Sequence, residues 1–314
     1  MRQPAEAVSA DCLRRAAPLL TPVAAGVVAA AGQPPLALPL LALAGVAGVM
    51  ALGIAAPVPR RAFRVGWLAG LGYFGAALHW IVEPFLVDVA RHGWMAPFAL
   101  VLFAGGLALF WGAAFWAAGR LAGPRAGLWP RAAALAMTLT AAEFARATVL
   151  GGFPWAMIGS LWTGAPPAML AAWVGPHGLT LLTLSATMPV AVALAGGPRR
   201  QLAATAAGIA LAWGGGMALA ARIPADPAPD RPVVRLIQPN APQHLKWRAD
   251  MIPVFWARKL AFTAAPARPY WCRRAPRSIS WLHRALYSVS SRCSRLARLR
   301  QERVGNPTAL CRGT

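Results

Sequence analysis

Residues 94–118 read WMAPFALVLFAGGLALFWGAAFWAA, a stretch without a charged side chain that is long enough to cross a bilayer as a helix. Comparable apolar stretches recur up to residue 221. The whole chain is 58% hydrophobic and 13% charged, whereas soluble domains carry about 25% charged residues. The sequence therefore predicts an all-α polytopic membrane bundle of about seven transmembrane helices. We place them at 17–32, 36–56, 62–82, 94–118, 132–150, 168–195 and 201–221.

The first span is short, and only Gln33, Pro34 and Pro35 separate it from the second. The pair forms either a tight hairpin or a partly re-entrant segment. A cleaved signal peptide is the competing interpretation, but the apolar run continues into the second span without a clear cleavage site.

Basic residues between the predicted spans indicate the orientation, because Lys and Arg beside membrane helices accumulate on the cytoplasmic side. A cytoplasmic N-terminus places eleven Arg on that side, against Arg91 and Arg146 on the other. An odd number of spans then places the residues after about 222 outside, in the periplasm. We expect a multi-pass protein of the bacterial inner membrane. The eleven are Arg2, Arg14, Arg15, Arg60, Arg61, Arg64, Arg120, Arg125, Arg131, Arg199 and Arg200.

The composition changes after the last span. Residues 222–232 are rich in Pro and Asp and are typical of a linker. Val233–Ile237 is a β-branched run that predicts a strand, and Lys246–Phe262 is compatible with an amphipathic helix interrupted by Pro253. Residues 267–314 contain eleven Arg and a single acid, Glu302, without a sustained apolar period. This tail predicts no folded domain.

Among the ionisable residues inside the predicted spans, where an unpaired charge costs several kcal/mol, Glu143 and Arg146 stand out. Glu143 and Arg146 are three residues apart, so they share one helix face and can pair. They form either a structural ion pair near the outer interface or one wall of a lipid head-group pocket.

A Gly- and Pro-containing stretch, GGFPW (151–155), follows the same span on the outer side. Aromatic residues at this level usually belong to the interfacial belt of a membrane protein. The neighbouring Gly and Pro instead favour a shaped loop in which Phe153, Pro154 and Trp155 contact acyl chains. The belt explains Trp67, Trp80, Trp94, Trp111 and Trp116 without a further assumption.

Four segments together carry a resemblance to a known family. They are GWLAGLGYFGAALHWI (66–81), AEFARATVLGGFPWAMIG (142–159), WVGPHGLTLLTL (173–184) and VRLIQPNAPQHLKW (234–247). In this order and spacing they resemble apolipoprotein N-acyltransferase, a bacterial inner-membrane enzyme. The series Glu-x-x-Arg followed by Gly-Phe-Pro-Trp is specific, as is the Gln-Pro-Asn series that ends at Trp247.

The resemblance implies that the membrane helices hold a periplasmic nitrilase-like domain, an α-β-β-α sandwich. In the family, a Cys thiolate takes an acyl chain from a phospholipid and passes it to the α-amine of a diacylglyceryl-lipoprotein. A Glu acts as base and a Lys stabilises the oxyanion. Phospholipid and lipoprotein are then the partners, without nucleic acid, and we expect a monomer. Trp247, Gln238 and Asn240 become substrate-binding candidates; a buried anchor is the alternative for Trp247.

The chain departs from the family beyond residue 262. The stretch YWCRRAPRSISWLHRAL (270–286), where the family's Glu is expected, contains no Glu. Cys272 stands in the wrong context for the nucleophile, and Lys246 and Lys259 precede the expected Lys. We therefore assign no catalytic residue, and the four Cys match no metal or redox motif, so we expect neither a metal nor a cofactor.

These observations predict three parts. Residues 1–221 form the transmembrane helical domain, 222–266 a linker with the truncated start of a nitrilase-like domain, and 267–314 a disordered basic tail. The Arg, Ser and Cys surplus of the tail suggests translation out of frame, a hypothesis that the encoding DNA tests directly. On this view the chain is a catalytically incomplete fragment.

A membrane transport or scaffold protein with a basic tail is the alternative function. The net charge of +22 would suit an anionic surface. The predicted orientation, however, puts the tail away from nucleic acid and from the anionic inner leaflet. Transporters also usually contain internal repeats or broken helices, which the sequence does not suggest.

Overall fold

A computed structural model describes residues 4–222, 237, 239–242 and 245–264, and this part of the chain is helical, without a β-strand. Short 3₁₀ turns connect several of the helices, and the longest of these turns is His79–Leu86. The described residues form nine α-helices: α1 (Pro4–Ala30), α2 (Pro39–Ile54), α3 (Pro59–Ala77), α4 (Val89–His92), α5 (Ala96–Ala122), α6 (Leu128–Thr148), α7 (Ala171–Leu194), α8 (Leu202–Ala221) and α9 (Ile252–Ala264).

The helical character predicted for the membrane part is confirmed, and a helix occupies each of the seven ranges expected to span. Three segments of the described chain are long and apolar enough to cross a membrane: Val89–Ala122, Pro166–Leu194 and Arg199–Ala221. Helix α3 makes a fourth if it is counted together with the 3₁₀ turn that follows it at a 50° bend. Helix α2 is shorter, and α6 carries three charged residues. The count of seven spans therefore stays a prediction.

The region after the last span differs from the sequence expectation at one point. Helix α9 begins at Ile252, six residues later than the predicted start at Lys246. Residues 245–251 instead form successive turns, in which the Arg248 N–H donates to the Leu245 carbonyl and the Met251 N–H to the Arg248 carbonyl. Pro253 lies in the first turn of α9, where its missing N–H needs no partner, so it begins the helix rather than interrupting it.

The strand expected at Val233–Ile237 lies outside the described residues except for Ile237. The tail at 267–314 lies wholly outside them.

The core of the bundle is built around a cluster of aromatic rings between α3 and α5. Tyr73 and Trp111 stack with their ring centres 4.9 Å apart, and Phe74 meets both rings edge-on. All three side chains are at most 1% exposed. The assignment of Trp111 to the interfacial belt is therefore wrong, because its ring faces α3 rather than the lipid. Trp80, Trp94 and Trp116 do lie on the surface.

Helix α1 approaches α3 so closely that a side chain at one position would collide with its backbone. A Cβ added to Gly72 would overlap the carbonyl oxygen of Val23. In a bilayer, where apolar burial gives helices little reason to associate, such contacts between small residues supply much of the packing energy. Gly75, on the same helix, has no neighbouring atom within 4 Å of the corresponding position.

Gly72→Ala is expected to lower the free energy of unfolding by about 1–3 kcal/mol, because α1 must move away from α3. The matched variant Gly75→Ala should be neutral or stabilising by up to about 1 kcal/mol, since Ala favours a helix over Gly. Thermal unfolding of the full chain in detergent micelles measures both changes. Equal effects of the two substitutions would contradict the close approach of the two helices.

Candidate functional site

The candidate site is the irregular segment between α6 and α7, residues 149–165, which we call the anchored loop. Gly151 and Gly152 open it with φ angles of 85° and 75°, a region that other residues rarely adopt. A Cβ on Gly152 would also overlap the Ala147 carbonyl. The Phe153 N–H then donates to the Arg146 carbonyl at 2.8 Å, so the chain turns back against the end of α6. The two Gly residues are thus required by this turn.

Arg146 holds the loop backbone from inside the bundle. Its side chain is 1% exposed, and its Nη1 donates to the carbonyl oxygens of both Phe153 and Trp155. The guanidinium also lies 5.1 Å from the centre of the Phe74 ring, within the range of a cation–π contact. Arg146 therefore ties the Phe-Pro-Trp stretch to α6 and to the aromatic core.

Glu143 holds the next part of the loop. It is fully buried, and both carboxylate oxygens lie 3.1 Å from the Ile158 N–H. Thr180 of α7 donates its hydroxyl to the same carboxylate at 3.0 Å, and that hydroxyl accepts the Gly159 N–H at 2.9 Å. The carboxylate is thereby shared between the loop and α7.

The two charged side chains face each other, with Arg146 Nη2 3.8 Å from Glu143 Oε1. The expected pairing within one helix face is present. Their hydrogen bonds go to loop backbone and to Thr180, and both groups are buried, which favours the structural ion pair over the wall of a head-group pocket. Removing one partner of such a pair would leave a buried charge without compensation.

A third contact comes from Gln33, between α1 and α2. Its Nε2 donates to the Met157 carbonyl at 2.9 Å and to the Tyr73 hydroxyl at 2.8 Å. Its Oε1 accepts a hydrogen bond from the Ser160 hydroxyl at 3.0 Å. The sequence interpretation treated Gln33 only as a separator between two spans. In the sequence, Gln33 is a lone amide side chain between two apolar runs. This pattern indicates a polar partner inside the bundle but does not identify it.

Thr180 and Thr183 were also missed from the sequence. Thr183 accepts a hydrogen bond from the indole N–H of Trp162 at 2.8 Å, which fixes the far end of the anchored loop. The two Thr lie three residues apart and so share one face of α7. This spacing in an apolar helix was the available signal, although such Thr often bond only to their own helix.

The side chains of the Phe-Pro-Trp stretch point the other way, toward the surface. Trp155 is 59% exposed, Pro154 is exposed and Phe153 is half-buried. The Trp155 ring lies 5.4 Å from Trp80, and the Phe153 ring packs edge-on against Phe103 at 4.9 Å. The loop therefore exposes an apolar aromatic surface, while buried side chains of α6 bond its backbone.

The candidates beyond the last span lie in a separate segment. Trp247 is 66% exposed, so it is not a buried anchor among the described residues, and Lys246 Nζ lies 5.3 Å from its ring centre. Asn240 is exposed and has a φ of 51°. Gln238 lies outside the described residues. Arg258 of α9 donates to the Pro239 carbonyl at 2.9 Å, which ties this segment to itself.

Close to Trp247, Arg248 and Asp250 form an exposed ion pair with an N to O distance of 2.8 Å. The hydrogen bonds from Arg248 hold the pKa of the Asp250 carboxyl below its ordinary value. Any stabilisation from this pair is present at neutral pH and is lost as the pH falls through the lowered pKa. Because both side chains are exposed, solvent screens the interaction.

Comparison with known proteins identifies the family of the chain. The family model of the apolipoprotein N-acyltransferase N-terminal domain matches residues 25–189, which include α2, α3, α5, α6 and the anchored loop. The chain belongs to the apolipoprotein N-acyltransferase family. This match favours the interpretation as an apolipoprotein N-acyltransferase relative over the alternative of a transport or scaffold protein.

Two curated relatives show how much of the chain is matched. The apolipoprotein N-acyltransferase of Caulobacter vibrioides is 40% identical over 246 residues, which are 77% of this chain and 46% of the relative. That of Rhizobium leguminosarum bv. trifolii is 37% identical over 202 residues, 60% of this chain and 36% of the relative. The chain thus spans less than half the length of these apolipoprotein N-acyltransferases.

Arg146→Gln is expected to lower the free energy of unfolding by about 3–5 kcal/mol, because it leaves Glu143 as an uncompensated buried charge. The double variant E143Q/R146Q should lose less than the sum of the two single variants, by about 1–3 kcal/mol. Thermal unfolding in detergent micelles completes this double-mutant cycle.

Arg248→Gln is the control, since it breaks an ion pair that is exposed to solvent, and it should leave the melting temperature unchanged. Strictly additive effects of E143Q and R146Q would show that the two buried residues act independently, contrary to the geometry.

Proposed function

We propose that this chain supplies the membrane half of an apolipoprotein N-acyltransferase and that the anchored loop contacts the acyl chains of the phospholipid donor. The observation that carries the proposal is the division within the loop. Arg146 and Glu143 hold its backbone, while Phe153, Pro154 and Trp155 remain at the surface. An aromatic surface of this kind suits the methylene groups of an acyl chain, and a fixed backbone avoids the entropy cost of ordering it upon binding.

The acceptor, by family resemblance, is a diacylglyceryl-lipoprotein. Under this proposal residues 1–221 are the membrane domain, and 222–266 contain the linker and the start of a nitrilase-like domain. Gln238, Asn240 and Trp247 then lie on the segment that leads into that domain. Trp247 carries an exposed ring beside Lys246, which supports a role in substrate contact rather than in packing. The family chemistry requires no metal and no cofactor.

We further propose that the chain as it stands does not transfer acyl groups on its own. The mechanism needs a thiolate, a base and an oxyanion-stabilising cation in one site. The stretch 270–286 contains no Glu, and both Lys residues lie upstream of it. The side chains of the anchored loop are hydroxyl, aromatic and aliphatic, and none is a Cys, Lys or carboxylic acid, so the loop suits substrate contact and does not supply the thiolate, cation or base.

The orientation completes the proposal: the N-terminus lies in the cytoplasm of a bacterial inner membrane, and the anchored loop and the residues after about 222 lie in the periplasm. The asymmetric distribution of Arg supports it. Alkaline phosphatase fused after residue 230 should be active, and β-galactosidase at the same position inactive. Fusions after Gly197 should show the reverse pattern. Active β-galactosidase at position 230 would reject the orientation.

A chimaera tests the function. Residues 1–221 of this chain, joined to the remainder of the Caulobacter vibrioides relative, should restore triacylated lipoprotein in cells depleted of their own enzyme, as measured by mass spectrometry. This chain alone should restore none. A chimaera that folds into the membrane without activity would overturn the assignment of the membrane half, and activity of the chain alone would refute its catalytic incompleteness.

Within that chimaera, Trp155→Ala should lower kcat/KM for the phospholipid roughly tenfold, because the loss of an apolar contact worth about 1.5 kcal/mol corresponds to one factor of ten. Trp129→Ala is the matched control, since Trp129 is an exposed Trp at the opposite end of α6. Equal losses in the two variants would remove the anchored loop from substrate binding.

A further inference from the structure

A cavity lies at the opposite end of the bundle from the anchored loop. Its volume is about 400 Å³, which falls within the range of small-molecule sites. It is enclosed by the end of α2, the start of α3, the end of α5 and the start of α6. Along α6, Arg131 in the cavity wall lies about 18 Å from Glu143, at 1.5 Å per residue. The cavity is therefore separate from the candidate site.

The inner wall of the cavity is apolar. Ile54, Phe115 and Leu135 line it, and each of these side chains is at most 2% exposed. A purely hydrophilic ligand would leave these groups without partners. The wall instead suits a ligand that combines an apolar portion with a polar group.

Two Arg side chains form the polar part of the wall. Arg131 donates from Nη1 to the Ile54 carbonyl at 3.3 Å and from Nη2 to the Pro124 carbonyl at 2.9 Å. The guanidinium is thus fixed in place, and it retains further N–H donors, since Arg carries five. The second, Arg120, is exposed and lies 5.7 Å from the ring centre of Trp116.

Among the described residues, no Asp or Glu side chain forms an ion pair with the two Arg residues of this cavity. Among side chains with described positions, the ion pairs involve Arg146 and Arg248 and neither of the cavity residues. Arg60 and Arg64 line a smaller recess together with Trp116. We call this end of the bundle the Arg-rich end. It bears Arg60, Arg64, Arg120, Arg125 and Arg131. It offers a strongly positive surface to an anion.

The level of the cavity in the bilayer follows from the same residues. Trp116 is 45% exposed, and Trp and Arg together are typical of the boundary between acyl chains and head groups. Anionic lipids attract basic residues at this boundary, and basic pockets between membrane helices bind their head groups. A cavity at this boundary would be within reach of the phosphate diester of a lipid.

We propose that this cavity binds an anionic phospholipid, with the phosphate diester on Arg120 and Arg131 and the glycerol and first acyl carbons against the apolar wall. The bound lipid belongs to the leaflet at the Arg-rich end. Lipid binding in this cavity is distinct from acyl transfer at the anchored loop. The proposal therefore stands or falls independently of the proposed function.

The test measures lipid binding to the full chain, purified in a neutral detergent, by native mass spectrometry during titration with phosphatidylglycerol or phosphatidylcholine. Wild-type protein should prefer phosphatidylglycerol. Arg120→Gln should weaken its binding about fivefold, the equivalent of one basic residue at a membrane surface, and R120Q/R131Q about twenty-fivefold. The matched control is Arg125→Gln, which removes the same charge from the Arg-rich end at an exposed residue outside the cavity wall. It should weaken binding less than twofold.

Equal weakening by R120Q and R125Q would show diffuse attraction to charge and would overturn the site, as would equal affinity for the two lipids. Inorganic phosphate supplies a third arm: if it displaces the bound phosphatidylglycerol, the cavity is a site for a soluble anion and the lipid proposal fails. If R120Q/R131Q does not fold, because Arg131 also bonds two carbonyls, the comparison of R120Q with R125Q decides alone.

Discussion

Arg146 bonding two backbone carbonyls inside the bundle is the interaction on which the anchored loop depends. Irregular backbone that is buried among helices needs partners for its N–H and C=O groups, because an unpaired buried polar group costs about as much as a lost hydrogen bond. Arg146 satisfies Phe153 and Trp155, Glu143 satisfies Ile158, and Gln33 satisfies Met157. Each charged side chain is in turn compensated by the other. These hydrogen bonds allow the loop to remain non-helical between two apolar helices.

This arrangement separates two requirements that a lipid-binding surface must meet. The backbone must be fixed, so that little entropy is lost upon binding, and the contacting groups must be apolar. Buried polar side chains meet the first requirement from the inside, and the rings of Phe153 and Trp155 meet the second from the outside. Helix α6 connects this surface to the Arg-rich end, where Arg131 uses the same kind of contact with backbone carbonyls to shape a cavity. One helix thus positions both of the proposed lipid contacts.

Parts of the site could be foreseen and others could not, for reasons specific to each residue. The pairing of Glu143 with Arg146 follows from a spacing of three on one helix, which is local information. Gln33 and Thr180 could not be assigned partners, because their contacts join residues 124 and 21 positions apart. Trp111 was misplaced because hydropathy does not distinguish a ring that faces lipid from one that faces another helix. The start of α9 was misplaced because Pro253 is as compatible with a first turn as with an interruption.

The sequence by itself determined that the chain is a helical membrane protein of the apolipoprotein N-acyltransferase family. It also determined the asymmetric distribution of Arg along the chain. These properties follow from the order of the residues alone, since apolar length, charge and motif spacing are read along one segment at a time. Only the tertiary structure decided which donors of Arg146 reach which carbonyls, which aromatic rings stay exposed, and that Arg120 and Arg131 line a common cavity. Those outcomes depend on the distances between helices, which are set by side chains from distant parts of the chain packing against one another.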